Sequence, residues 1–113
     1  HEAVASKTVL FADDSQVARR QIQRTLDAMG VRYISAVNGA QAWSELERVA
    51  SAAASAKRSV TDYVNLILTD VEMPEMDGYM LTKHVKNDPR TSMLPVIMHS
   101  SLSSMQNQQL GRT

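Results

Sequence analysis

The chain has 113 residues, a length that suits one small domain, and its 12 Lys and Arg balance 12 Asp and Glu to a formal net charge of zero. That balance, with one Trp, three Tyr and one Phe, offers neither the basic footprint nor the stacking platform of a nucleic-acid binder; the lack of cysteine excludes disulfides, thiolate zinc sites and cysteine nucleophiles. His1, His84 and His99 are scattered without H-x-x-x-H spacing, and no apolar run approaches the ~20 residues of a membrane span, so the sequence predicts a cytoplasmic protein with no nucleic-acid partner and no membrane insertion.

Residues 1–6 read as a linker or tag remnant, and the domain is expected over residues 7–113. Lys7 to Ala12 (KTVLFA) is an apolar run that stops at Asp13-Asp14-Ser15, which predicts a buried strand. From Gln16 to Met29, Ala18, Ile22, Leu26 and Met29 recur at helical spacing and Gly30 closes the segment, predicting an amphipathic helix with a solvated face of Arg19, Arg20 and Arg24. Val31 to Val37 is the next strand, ended by the turn pair Asn38-Gly39. A second helix begins near Ala40 with Trp43, Leu46 and Val49 or Ala50 on one face. Residues 51–62 are Ala- and Ser-rich and read as a frayed end and surface connection with little to bury.

Asn65 to Thr69 predicts a third strand, ending at Asp70. Pro74 and Gly78 punctuate the following loop, which excludes regular structure there. Tyr79 to Asp88 reads as a helix with Leu81 and Val85 inward, halted by Pro89; Val96 to His99 is a fourth strand, and Leu102 to Leu110 is weakly helical. The alternation of short apolar strands with helices predicts an α/β fold, a doubly wound parallel sheet with helices on both faces. Ligands bind such sheets at the carboxyl ends of the strands.

Asp13 and Asp14 follow strand one, Asp70 ends strand three and Ser100 follows strand four, so all four fall on that edge. Three carboxylates crowded in one crevice repel, each pair by roughly 4 kcal/mol at about 4 Å and an effective dielectric of about 20, and require a cation. Hard oxygen donors with no thiolate and no imidazole pair point to Mg²⁺, which commonly binds one or two carboxylates plus phosphate oxygens. A carboxylate beside such an ion can form an aspartyl phosphate. Asp70, on a central strand, is the candidate nucleophile, with Asp13 and Asp14 holding the metal.

The pair Asp13-Asp14, the run D-x-x-M-P-x-M-D-G from Asp70 to Gly78 and the run L-P-V-I-M-x-S from Leu94 to Ser100 resemble a CheY-like receiver domain of two-component signalling. The resemblance covers Lys7 to about Leu110 and implies a five-stranded sheet of order 2-1-3-4-5. It implies that Asp70 accepts a phosphoryl group from a histidine kinase, and that Asp14, Asp70 and the backbone carbonyl of Glu72 contact Mg²⁺, with Asp13 acting through water. The hydroxyl of Ser100 would swing toward the phosphoryl group as the switch. A-D-D-S-Q-V-A-R, D-V-E-M-P-E-M-D-G-Y and H-S-S-L-S are similar to receivers of the CheV type. That similarity implies a CheA-like kinase, a CheW-like domain and a chemoreceptor complex as partners in chemotaxis.

The family's fifth-strand lysine has no counterpart: Lys7, Lys57, Lys83 and Lys86 fall on a strand start, the Ala/Ser-rich connection and the third helix. The expectation is that the fifth strand and last helix are missing by truncation, leaving strand four an uncovered apolar edge prone to association. Asp13-Asp14-Ser15 also suits a helix cap, and Asp77, Gly78 and Pro74 suit turn formation without chemistry. Glu72 reads equally as a residue overhanging the phosphoryl group or as a solvated loop residue. His99 reads as an outward strand-end histidine, and the seven methionines as adaptable packing. The rival functions are a Mg²⁺-dependent phosphatase with an aspartyl intermediate, disfavoured because its nucleophile belongs in a D-x-D after strand one, and a receiver-fold interaction module that is never phosphorylated.

Overall fold

A computed structural model describes residues 7–100 of the chain. Strand β1 (Thr8–Ala12), helix α1 (Gln16–Met29), strand β2 (Arg32–Ala36), helix α2 (Gly39–Ser55), strand β3 (Leu66–Asp70), helix α3 (Gly78–Asn87) and strand β4 (Val96–His99) follow one another, with a single 3₁₀ turn at Val60–Asp62 before β3. All strand pairs are parallel and the sheet order is β2-β1-β3-β4. This is the expected doubly wound arrangement. The expected weak helix at Leu102–Leu110 and any fifth strand lie outside the described residues.

Successive strand residues face opposite sides, so the continuous apolar strands feed two cores. Val9 and Phe11 pack with Leu26 and Val31, backed by Ile22 of α1. Leu10, Ala12, Ala36 and Ile67 pack on the other side with Leu46 of α2 and Leu81 and Val85 of α3. Helix α1 therefore covers one face, while α2 and α3 share the other.

The boundaries of α1 follow from its caps. Ser15 Oγ accepts from the Ala18 N–H at 3.2 Å; at the other end Gly30 adopts φ 73° and the Val31 N–H reaches back to the Leu26 carbonyl at 2.9 Å. Met29, expected inside, is 56% exposed, and Arg19 is not simply solvated: its Nη1 donates to the Asp13 carbonyl at 2.8 Å.

The largest departure from expectation is at residues 51–62. Helix α2 continues to Ser55, Ala53 is 2% exposed and Val60 is 4% exposed within the larger core. Small side chains here allow close helix packing, so a composition that looks like a surface connection is in part core. The helix ends with Lys57 in the left-handed region at φ 58° and the Arg58 N–H bonded to the Ala53 carbonyl at 2.8 Å. Asn38-Gly39, read as a turn, instead starts α2, with Asn38 Oδ1 accepting from the Gln41 N–H at 2.8 Å.

Between α3 and β4 the chain is pinned. The buried Thr91 hydroxyl donates to the Val85 carbonyl at 2.8 Å, and Lys86 Nζ donates to the carbonyls of Ser92 and Leu94. On the described residues β4 is an outer strand, with Ile97 51% and Met98 38% exposed. The methionines divide: Met73 is buried and Met76 packs on the core, whereas Met80 and Met93 are about half exposed.

Candidate functional site at the carboxyl edge of the sheet

The register that aligns β1 with β3 through Ala12 and Thr69, and β3 with β4 through Asp70 and His99, brings three strand ends to one level. Asp13 follows β1 directly, and its N–H is held by the Ala36 carbonyl of β2 at 3.1 Å. Asp13 and Asp70 are both fully buried. With His99 they form a cluster in which one donor atom from each residue lies within 4.8 Å of the others.

Asp13 divides its two oxygens between tasks. Oδ1 accepts from the Ser15 N–H at 2.9 Å, which fixes the start of α1; Oδ2 is buried without a hydrogen-bond partner among the described residues and stands 3.7 Å from His99 Nε2. Asp70 is starker, since both its carboxylate oxygens are buried and unpartnered among the described residues. Burial pushes the Asp70 carboxyl above its ordinary value, and the charge of Asp13 pushes it further. Burial also raises Asp13, against the opposing pull of the Ser15 N–H and of His99.

Orphaned buried carboxylate oxygens are costly unless something positive meets them. Asp13 Oδ2, Asp70 Oδ1 and Asp70 Oδ2 are three such atoms in one crevice, a donor set that fits a hard divalent cation.

The other expected residues are placed as follows. Asp14 is exposed and outside the three-residue cluster, although its charge raises both buried carboxyls. Glu72 has an exposed side chain in the loop after β3, and Ser100 is half-buried directly after β4. His99 is a correction: it does not point outward, because its place opposite Asp70 on the parallel neighbour sends its ring to the same face as the carboxylates. Its orientation follows from the β3–β4 register, which sets it opposite Asp70. None of the expected lysine's work falls to Lys86, whose ammonium is occupied at the α3–β4 connection.

The loop from Val71 to Asp77 is held on several sides. The Val71 N–H donates to the His99 carbonyl at 3.0 Å, the Gly39 N–H to the Met76 carbonyl at 3.0 Å, and Asn38 Nδ2 to Glu75 at 3.0 Å. Asp77 caps α3 by accepting from the Met80 N–H at 2.8 Å, the structural role expected of it. Gly78 packs directly on the acidic strand end: a Cβ there would lie 3.1 Å from Val71 Cα, 3.2 Å from the Asp70 carbonyl carbon and closer still to its oxygen. Only glycine allows that approach.

Comparison with known proteins agrees with this geometry. The family model described as "Response regulator receiver domain" matches residues 9–111. The chain is 36% identical to chemotaxis protein CheV1 of Helicobacter pylori over 96% of its length, and 33% identical to CheV2 of the same organism over 99%. It spans about a third of the length of these two relatives, 32% and 33%. Among solved structures, the chemotaxis response regulator CheY4 of Vibrio cholerae superposes with a TM-score of 0.64 at 26% identity, covering 94% of this chain and 78% of that one. A variant receiver domain of the histidine kinase CKI1 from Arabidopsis thaliana shares the fold, with a TM-score of 0.75 at 23% identity, over 97% of this chain and 79% of its own.

Proposed function

The chain belongs to the response regulator receiver family, and from that premise we propose that Asp70 is its phosphoacceptor, taking a phosphoryl group from the phosphohistidine of a histidine kinase. The observation that carries this reading is the state of Asp70: a fully buried carboxylate at the end of a central strand with neither oxygen engaged by a donor among the described residues. An Asp kept only for structure would have its oxygens bonded, as Asp77 and Asp88 do.

In the transfer, one Asp70 oxygen forms the new bond to phosphorus as the bond to the donor's imidazole nitrogen breaks, and the electron pair leaves with the imidazole. Asp13, Asp14, Asp70 and the backbone carbonyl of Glu72 are the groups that would hold Mg²⁺. When bound, Mg²⁺ offsets the charge of the carboxylates and of the phosphoryl oxygens. Asp13 is kept in place by the Ser15 N–H on its side chain and by Arg19 on its carbonyl. Ser100, one residue past the pairing of His99 with Asp70, supplies the hydroxyl that turns toward the phosphoryl group. The same event shifts the strand-four and helix-four region between two conformations, which is the output.

The similarity to CheV proteins supports a chemotaxis role, with a CheA-like kinase as donor and a CheW-like domain and chemoreceptor complex as the assembly the switch adjusts. The domain in this reading catalyses its own phosphorylation and dephosphorylation and acts on no released substrate. Incubation with acetyl phosphate and Mg²⁺ followed by intact-mass measurement tests it. One labile phosphate on the wild type, absent from Asp70→Asn, is expected. An adduct that persists in Asp70→Asn, or none on the full-length protein, refutes the assignment.

A further inference from the structure

His99 is the group in this crevice that phosphoryl acceptance leaves without a task. Among the described residues its Nε2 is buried with no hydrogen-bond partner, as are Asp13 Oδ2 and both Asp70 oxygens. Its Nδ1 lies 3.3 Å from the Ser100 carbonyl oxygen. A carbonyl only accepts, so that contact takes a donor from Nδ1 and turns Nε2 toward the carboxylates.

Nε2 and Asp13 Oδ2 stand 3.7 Å apart, too far for a hydrogen bond. A cation attracts both carboxylates and takes the Nε2 lone pair in place of a proton. An ion with bonds of about 2.1 Å bridges donors up to about 4.2 Å apart, so the separation of Nε2 and Asp13 Oδ2 is already within the span of a single ion. Histidines that ligate metals characteristically donate their other ring N–H to a backbone carbonyl or carboxylate, which fixes the tautomer. The Ser100 carbonyl occupies that position.

We infer that His99 is a metal ligand, and that with Asp13 and Asp70 it makes a two-carboxylate, one-imidazole site selective for a first-row transition ion of the Mn²⁺ or Co²⁺ kind over Mg²⁺. Imidazole suits borderline ions, whereas Mg²⁺ takes oxygen donors. The inference rests on the carboxylate pair being a cation site, a premise it shares with the proposed function, and is independent of phosphoryl transfer.

The test uses the full-length protein and its His99→Val and His99→Gln variants, titrated separately with Co²⁺ and with Mg²⁺. Pulsed paramagnetic resonance of bound Mn²⁺ reads nitrogen coordination directly. The expected result is a Co²⁺-over-Mg²⁺ preference that falls about tenfold or more in both variants, chiefly through loss of Co²⁺ affinity. The Mn²⁺ spectrum of the wild type should show ¹⁴N coupling from one imidazole. An unchanged preference in a folded variant, or a wild-type spectrum without ¹⁴N coupling, overturns the assignment and leaves His99 as a charge partner of Asp13. If neither variant folds, the wild-type spectrum alone decides. Labelling of the wild type with acetyl phosphate and Mg²⁺ runs in parallel: labelling without ¹⁴N coupling sinks only the ligand assignment, and coupling without labelling sinks only the phosphoacceptor reading.

Discussion

Replacing Asp70 by Asn should stabilise the protein when divalent ions are removed, although it destroys the proposed acceptor. Asp13 and Asp70 are fully buried, with carboxylate oxygens no more than 4.8 Å apart. At that separation two unit charges repel by about 3.5 kcal/mol at an effective dielectric of about 20. The Asn amide keeps the volume but leaves its own polar atoms to be satisfied, which returns about 1–2 kcal/mol. A net gain of about 2 kcal/mol follows, or a rise in melting temperature of roughly 8–16 °C for a domain of this size. The pH dependence has a defined sign. Burial raises the folded-state pKa of both carboxyls above the ordinary 3.8, so the folded state holds protons that the unfolded state has released. Stability from these groups is full below about 3.8 and is lost as pH climbs through the raised folded values. The difference between wild type and variant should therefore vanish in acid and grow toward neutral pH. Urea melts across pH in chelator, repeated with Mg²⁺, measure it; Mg²⁺ should close the gap by stabilising the wild type alone. A variant less stable than wild type at neutral pH in chelator, or equal stabilisation of both by Mg²⁺, would refute the reasoning.

Three further changes probe how the site is held. Gly78→Ala forces a methyl group against the Asp70 carbonyl; it should cost about 1–3 kcal/mol in urea melts and slow acetyl phosphate labelling, and a variant of unchanged stability would disprove the close packing. Lys57→Gly relieves a left-handed residue at the end of α2 and should gain up to about 1 kcal/mol by thermal melting, with no effect on labelling. Asn38→Ala removes the cap of α2 together with the tie to Glu75. It should cost about 1 kcal/mol in chemical denaturation, and Glu75→Ala, which loses only the exposed tie, should cost distinctly less.

Most of the scaffold was legible because its signals are local. Ser15 and Gly30 bracket α1 with chemistry that few other residues supply, and Asp13, Asp70 and Ser100 each follow an apolar run that can only be a strand in this pattern. What escaped notice depends on tertiary contact. Ala53 and Val60 are core because α2 and the 3₁₀ turn lie against the sheet, and nothing in an Ala- and Ser-rich stretch announces that. The orientation of His99 needs the register between β3 and β4, which no single strand encodes. Arg19 looked like one of a row of surface cations until the backbone after β1 was placed within its reach.

The order in which the strands leave the ribosome differs from their order in the sheet. Asp13 is made first, Asp70 much later and His99 last, yet they end at one level of neighbouring strands. Until β4 docks, a nascent chain that has paired β1 with β3 brings the like charges of Asp13 and Asp70 to neighbouring strand ends, which works against premature closure of the sheet. A divalent ion available during synthesis would relieve that repulsion and favour completion. The yield of native protein should therefore depend on the metal content of the medium in which it is refolded.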